Sequence, residues 1–75
     1  PKEAQMVGIE GRVNVTFDIN REGFTEVINS FGGETIFQEE AKRIISLLPR
    51  MKPATQKGKK VTVRFTIPIT FQITE

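Results

Sequence analysis

The chain has no cysteine, histidine, tryptophan or tyrosine. Without cysteine there is no disulfide or thiolate metal site to staple the fold, and cysteine usage does not fix the redox compartment. Without histidine, cysteine or tyrosine the usual general bases and activated nucleophiles are missing, and Ser30 and Ser46 have no such base nearby in sequence. Asp18, Glu39 and Glu40 stand where solvated charges are expected, so no enzymatic activity is expected. Oxygen donors are scattered and the only soft donors are Met6 and Met51, so no metal and no cofactor is expected. No apolar run in this segment approaches the ~18 residues of a membrane span and no signal-peptide pattern occurs in it, which speaks for this segment only. The 75 residues make one small domain. The start at Pro1 instead of Met points to a fragment of a longer protein.

The charge is nearly balanced, at +2, but its excess is local. Arg50, Lys52, Lys57, Lys59 and Lys60 fall together with no acid between them. A loop this basic is usually a solvated one, and nucleic acid, a membrane or an acidic peptide are its alternative partners. Gly8-Ile9-Glu10-Gly11 superficially matches the phosphate-clamping GxxG loop of a KH domain. Glu10 would repel phosphate there, and the segment precedes a strand instead of joining two helices. A helix cap followed by a close-packed strand start is the better reading. Nucleic-acid binding rests on the basic loop alone and is not expected.

What the chain does have is alternation. From Val61 to Ile73 every odd position is a large apolar residue, and every even one is Thr, Arg, Pro or Gln. Period two over this length predicts a strand with one buried and one wet face. Pro68 has no N–H to give to a ladder, which places the strand at a sheet edge. Arg12 to Asn20 alternates the same way, with Val13, Val15, Phe17 and Ile19 on one face. Asn20-Arg21-Glu22-Gly23 is a turn signal. Phe24 to Phe31 returns as a second strand, its imperfect alternation at Val27-Ile28 suggesting a bulge.

Two helices are predicted. Pro1 to Val7 is a short one, with Pro at its first position and Gly8 as its cap. The other carries Phe37, Ala41, Ile44, Ile45 and Leu48 on one face and stops at Pro49. Thr35 and Gln38 have capping-box spacing, and Glu39 and Arg43 form an i,i+4 pair. Arg50 to Lys60 is predicted to be a loop. The fold class is α+β: a three-stranded antiparallel sheet with both helices on one face, in the order α-β-β-α-β. A crossover from the second strand past the first gives sheet order 2-1-3. Strand three then has a free edge able to recruit another strand. A compact chain of this size is only about 30 Å across, whereas the stretch from Val61 to Ile73 would span roughly 43 Å. The strand must bend or bulge at Pro68, overhang, or cross onto a second chain; a break at Pro68 is the expectation.

The chain resembles the C-terminal domain of TonB, the energy transducer of Gram-negative bacteria. The resemblance is carried by P-K-E-A (Pro1 to Ala4), G-I-E-G-R-V-N-V-T-F-D-I (Gly8 to Ile19) and the turn ending at Gly23. It continues through F-Q-E-E-A-K-R (Phe37 to Arg43), P-R-M-K-P-A (Pro49 to Ala54) and G-K-K-V-T-V-R-F-T-I-P-I-T-F (Gly58 to Phe71). These run in family order over nearly all of residues 1–75. One departure is Met51, where the family usually has an aromatic residue. Met fills such a gap with less rigidity; it either caps the core or touches a partner.

The resemblance implies a periplasmic docking module of a protein anchored in the inner membrane. It implies capture of the Ton box of an outer-membrane transporter as an added strand beside strand three. It also implies coupling to the proton gradient through ExbB and ExbD, reached by an N-terminal part absent from this sequence. The expected binding edge is the backbone of Thr62, Val63, Arg64, Phe65 and Thr66, with Lys59, Lys60 and Arg64 as steering charges. The same edge suits a homodimer through strand three. The alternative for the parent protein is a membrane-bound sensor or peptidase-type signalling protein that uses the fold as an interaction domain.

Overall fold

A computed structural model describes residues 10–72 of the chain. Its elements are β1 (Glu10–Ile19), β2 (Thr25–Phe31), α1 (Thr35–Ser46), β3 (Ala54–Gln56), β4 (Lys59–Val61) and β5 (Val63–Gln72). β1 is the centre of an antiparallel three-stranded sheet in the order β2-β1-β5. This is the expected 2-1-3 order and an α+β architecture. Among the described residues there is one helix, not two; the expected helix over Pro1 to Val7 lies outside them, as does Ile73.

Alternation works as the sequence predicts. Val13, Val15 and Phe17 of β1 are buried against Phe37, Ala41 and Ile45 of α1. Ile19, Val27, Ile67, Ile69, Phe71 and Leu48 pack around them. Phe37 stacks on Phe71 with centroids 5.1 Å apart and lies directly over Gly11, where any Cβ would strike its ring. Gly11 is thus a close-packed strand residue, as read. Ile44 is not part of the core: it stays 37% exposed, whereas Phe37, Ala41 and Ile45 of the same helix are buried.

The turn from β1 to β2 is built by Asn20. Its Oδ1 accepts the N–H groups of Glu22 and Phe24 at 3.0 and 2.9 Å, and its carbonyl accepts Gly23 N–H at 2.9 Å. The β1–β2 register then skips Ile28, with Thr16 opposite Asn29 and Phe17 opposite Val27. That extra residue is the expected bulge.

The helix differs in detail from its sequence signals. Its N-cap is Glu34, which makes no side-chain cap bond, so the Thr35–Gln38 capping box is absent. Gln38 instead reaches back and donates Nε2 to the Gly32 and Gly33 carbonyls at 3.0 and 3.3 Å. The Gln38 side chain is thus committed to the β2–α1 connection and not to a cap. The ion pairs are spaced i,i+3, Glu39–Lys42 at 3.0 Å and Glu40–Arg43, in place of Glu39–Arg43. The helix closes with tighter bonds, Leu47 N–H to Ile44 O and Leu48 N–H to Ile45 O. Pro49 then removes the next donor.

Two expectations about the end of the chain are corrected. The basic stretch is not all loop. Ala54–Gln56 and Lys59–Val61 pair as a hairpin around Lys57-Gly58, both at positive φ (52° and 78°), which suits a two-residue turn. The long strand also does not break at Pro68. Its register with β1 runs from Gln72 to Val63 without a shift, through Asn14 opposite Pro68. The interruption is at Thr62, between β4 and β5. The length problem is solved by an elongated body, 52 × 20 × 14 Å with a radius of gyration of 15.2 Å, in which β1 matches β5 residue for residue from Val63 to Gln72.

Candidate functional site

β5 pairs with β1 on one side only, among the described residues. In an antiparallel strand the N–H and C=O of one residue point to the same side, and successive residues alternate. Pro68 has no N–H, so it fits without loss only if even-numbered residues face away from β1. Side-chain contacts between even pairs agree, because side chains come closer in non-hydrogen-bonded pairs. Thr16 and Thr66 share an Oγ1–Oγ1 hydrogen bond of 2.9 Å. Arg64 donates Nε and Nη2 to Asp18 Oδ1 and Oδ2 at 2.8 and 3.2 Å. The edge therefore offers N–H and C=O groups at Arg64, Thr66 and Thr70, and only the carbonyl at Pro68.

The sequence-predicted edge residues fall into distinct places. Thr62 lies in neither ladder. Val63 and Phe65 face β1 with their backbones and the core side with their side chains; Phe65 stacks on Phe17 at 5.6 Å yet is 40% exposed. Arg64 and Thr66 supply the outward backbone groups. The Arg64 side chain is not a free steering charge, because it is held by the Asp18 carboxylate on the wet face. That guanidinium keeps the Asp18 carboxyl below its ordinary range, mainly through the hydrogen bond. Lys59 and Lys60 are exposed in β4.

Met51 is half-buried at the end of the sheet. Its N–H donates to the Gly23 carbonyl at 2.9 Å, and its own carbonyl sits over Gly23. Beside it the Arg50 guanidinium lies 4.9 Å from the Phe24 ring and donates Nε to the Glu22 carbonyl at 2.7 Å. Residues 50–51 thus fasten the chain leaving α1 to the β1–β2 turn. Sequence reasoning read the pair as loop and missed this. The signal was Gly23 itself, a buried turn glycine that needs a covering segment.

Three cavities lie against the described part of the sheet, one of them, of about 410 Å³, beside Glu10, Gly11, Arg12 and Thr70. Another of about 130 Å³, lined by Ile19, Lys52, Ala54, Val63 and Phe65, adjoins the β5 edge. A larger open groove of about 710 Å³ lies between β2 and α1, on the opposite edge. Its charged residues Glu39, Lys42 and Arg43 are already held in ion pairs within the helix. The described residues contain no cluster of three His, Cys, Asp or Glu that could hold a metal ion. They contain no helix long and apolar enough to cross a membrane.

A search of curated proteins finds no match to the chain. The family described as "Gram-negative bacterial TonB protein C-terminal" matches residues 1–73 of the 75. That family is a periplasmic, non-enzymatic domain of energy transduction associated with outer-membrane transport. With a match over nearly its whole length, and with the strand order its sequence predicts, the chain belongs to the TonB C-terminal domain family.

Proposed function

We propose that the outer edge of β5 receives the Ton box of an outer-membrane transporter as a fourth strand. The domain would then pass on work drawn from the inner-membrane proton gradient, through ExbB and ExbD and an N-terminal membrane anchor. The observation that supports this reading most directly is the edge itself. β5 is ten residues long, regular in register, and paired on one side only among the described residues. Main-chain bonds along such an edge supply affinity that depends little on side chains, so one domain can serve transporters of differing sequence. Lys59 and Lys60 lie just beyond the ladder and favour approach of an acidic segment.

A second copy of β5 competes for the same groups, and we propose a homodimer through this edge when no transporter segment is present. Titration with a Ton-box-like peptide tests both ideas. The amides of Arg64 and Thr66 are expected to shift, and any dimer seen by sedimentation is expected to dissociate. Thr66→Pro removes one outward donor without touching the β1 ladder and should weaken binding at least about tenfold. If Arg64 and Thr66 stay unmoved while other amides respond, the edge assignment is wrong.

A further inference from the structure

The β3–β4 hairpin adds nothing to the core: all three residues of β3 are exposed, as are Lys59 and Lys60 of β4. What it carries is charge. The described residues hold ten cations and seven acids, and five of the cations but none of the acids lie between Arg50 and Lys60. The rest of the described body is therefore net negative, and the hairpin is the positive end of a dipolar molecule. Arg50 is engaged with Phe24 and the Glu22 carbonyl. Lys52, Lys57, Lys59 and Lys60 are exposed, and none has an ion-pair partner among the described residues.

The tip of the hairpin is built against local preference. Lys57, with φ 52°, is the one residue other than glycine at positive φ among the described residues. Asn or Gly would hold that turn position with less strain. Space around the turn is open, since nothing lies within 4 Å of a Cβ added at Gly58. A strained residue with nothing packed against it points to a use for its side chain. Lys59 and Lys60 follow on β4 and point to opposite faces of the ribbon. Three strand residues span about 10 Å, about one Debye length at 0.1 M salt. In a tip-first approach the three lysines act on a surface as one cluster.

The chemistry of the patch selects its partner. Four of the five cations are lysines, hydrated point charges on flexible stems with no fork to grip a fixed phosphate or carboxylate. No aromatic residue occurs from Arg50 to Val61, so unpaired bases find no stacking platform. The hairpin strands carry no aromatic or arginine anchor of the kind that centres a protein interface. A surface of diffuse, laterally mobile negative charge requires none of these.

We propose that the β3–β4 hairpin is a tip-first electrostatic contact for an anionic phospholipid surface, with Lys57, Lys59 and Lys60 among the headgroups. The proposal goes beyond strand addition and does not depend on it. Each lysine near such a surface contributes about fivefold to partitioning. Because only Thr62 separates β4 from β5, a hairpin held at the headgroups also holds the start of the β5 edge close to that membrane.

The test is co-sedimentation of the 75-residue chain with vesicles at low salt. One set is pure phosphatidylcholine and the other a two-to-one mixture with phosphatidylglycerol. Binding is expected only to the anionic set, and salt at about 0.5 M should abolish it. Replacing Lys57, Lys59 and Lys60 together by Gln should weaken binding about a hundredfold. Removing the same charge elsewhere, by Arg12→Gln, Lys42→Gln and Arg43→Gln together, should change it less than about threefold. Lys57→Asn separates binding from folding: Asn suits the turn, yet vesicle binding should fall about fivefold. Unchanged binding by the triple lysine variant, or equal binding to neutral vesicles, would overturn the proposal. It would also fall if a duplex oligonucleotide or a poly-glutamate peptide bound more tightly than the vesicles and lost that binding in the triple lysine variant.

Discussion

Gly23 has the most constrained backbone position in the described part of the molecule. Its φ is +91°, and a Cβ built there would lie 1.8 Å from the Met51 carbonyl oxygen. Gly23→Ala thus combines left-handed strain with a backbone clash, and a loss of about 3 kcal/mol is expected in urea melts. Gly58 provides the control: its φ is +78°, but nothing lies within 4 Å of the added Cβ, so Gly58→Ala should cost only about 1 kcal/mol. Asp18 sets a pH dependence. Arg64 lowers its pKa in the folded state, so the pair stabilises the fold above the ordinary carboxylate value of about 3.9. That contribution fades as pH falls through the lowered value, where the carboxyl takes up its proton. Asp18→Asn should therefore lower stability at pH 7 and make a smaller difference at pH 2. A melt series showing the same loss at both pH values would assign the effect to something other than the charge.

The strands of the main sheet were legible because each buries one face only. Burial on one side forces period two, and the skipped residue at Ile28 left its trace as a break in that period. The helix was legible in extent for the same reason, through Phe37, Ala41 and Ile45. Its caps were not, because Gln38 is committed to the carbonyls of Gly32 and Gly33, a tertiary contact that local spacing cannot reveal. The β3–β4 hairpin was hidden because neither strand has a buried face: five of its six residues are exposed and Val61 is intermediate. With no burial there is no alternation to read, and only the Lys57-Gly58 turn speaks for it. Lys at positive φ is a poor choice where Asn is favoured. Lys57→Asn is expected to tighten the hairpin, slowing amide exchange at Lys59 to Val61 without shifting the melting of the main sheet. The edge of the candidate site was legible through Pro68. The pocket beside it was not, since it depends on where Lys52 and Ala54 land after the chain leaves α1.

The described body is slender, and among the described residues one helix of 12 residues covers the middle of a sheet whose last strand has 10. With a cross-section of 20 × 14 Å, the core is a single layer of side chains between α1 and the sheet. A fourth strand would widen the sheet within its own plane by about 4.8 Å and leave the 52 Å length unchanged. Small-angle scattering should therefore show the cross-sectional radius rising on peptide binding while the maximum dimension stays put. A rise in length instead would indicate end-to-end association. Thr62 gives this slender body a second property. It is the single residue between two separately hydrogen-bonded sheets, so the basic hairpin joins the main body there through one pair of backbone torsions on that strand. The other attachment is the segment that Met51 pins to Gly23. The hairpin is thus mounted like a rudder, on one swivel and one stay, and cutting the stay should let its three cations, Lys57, Lys59 and Lys60, sweep an arc around the end of the binding edge.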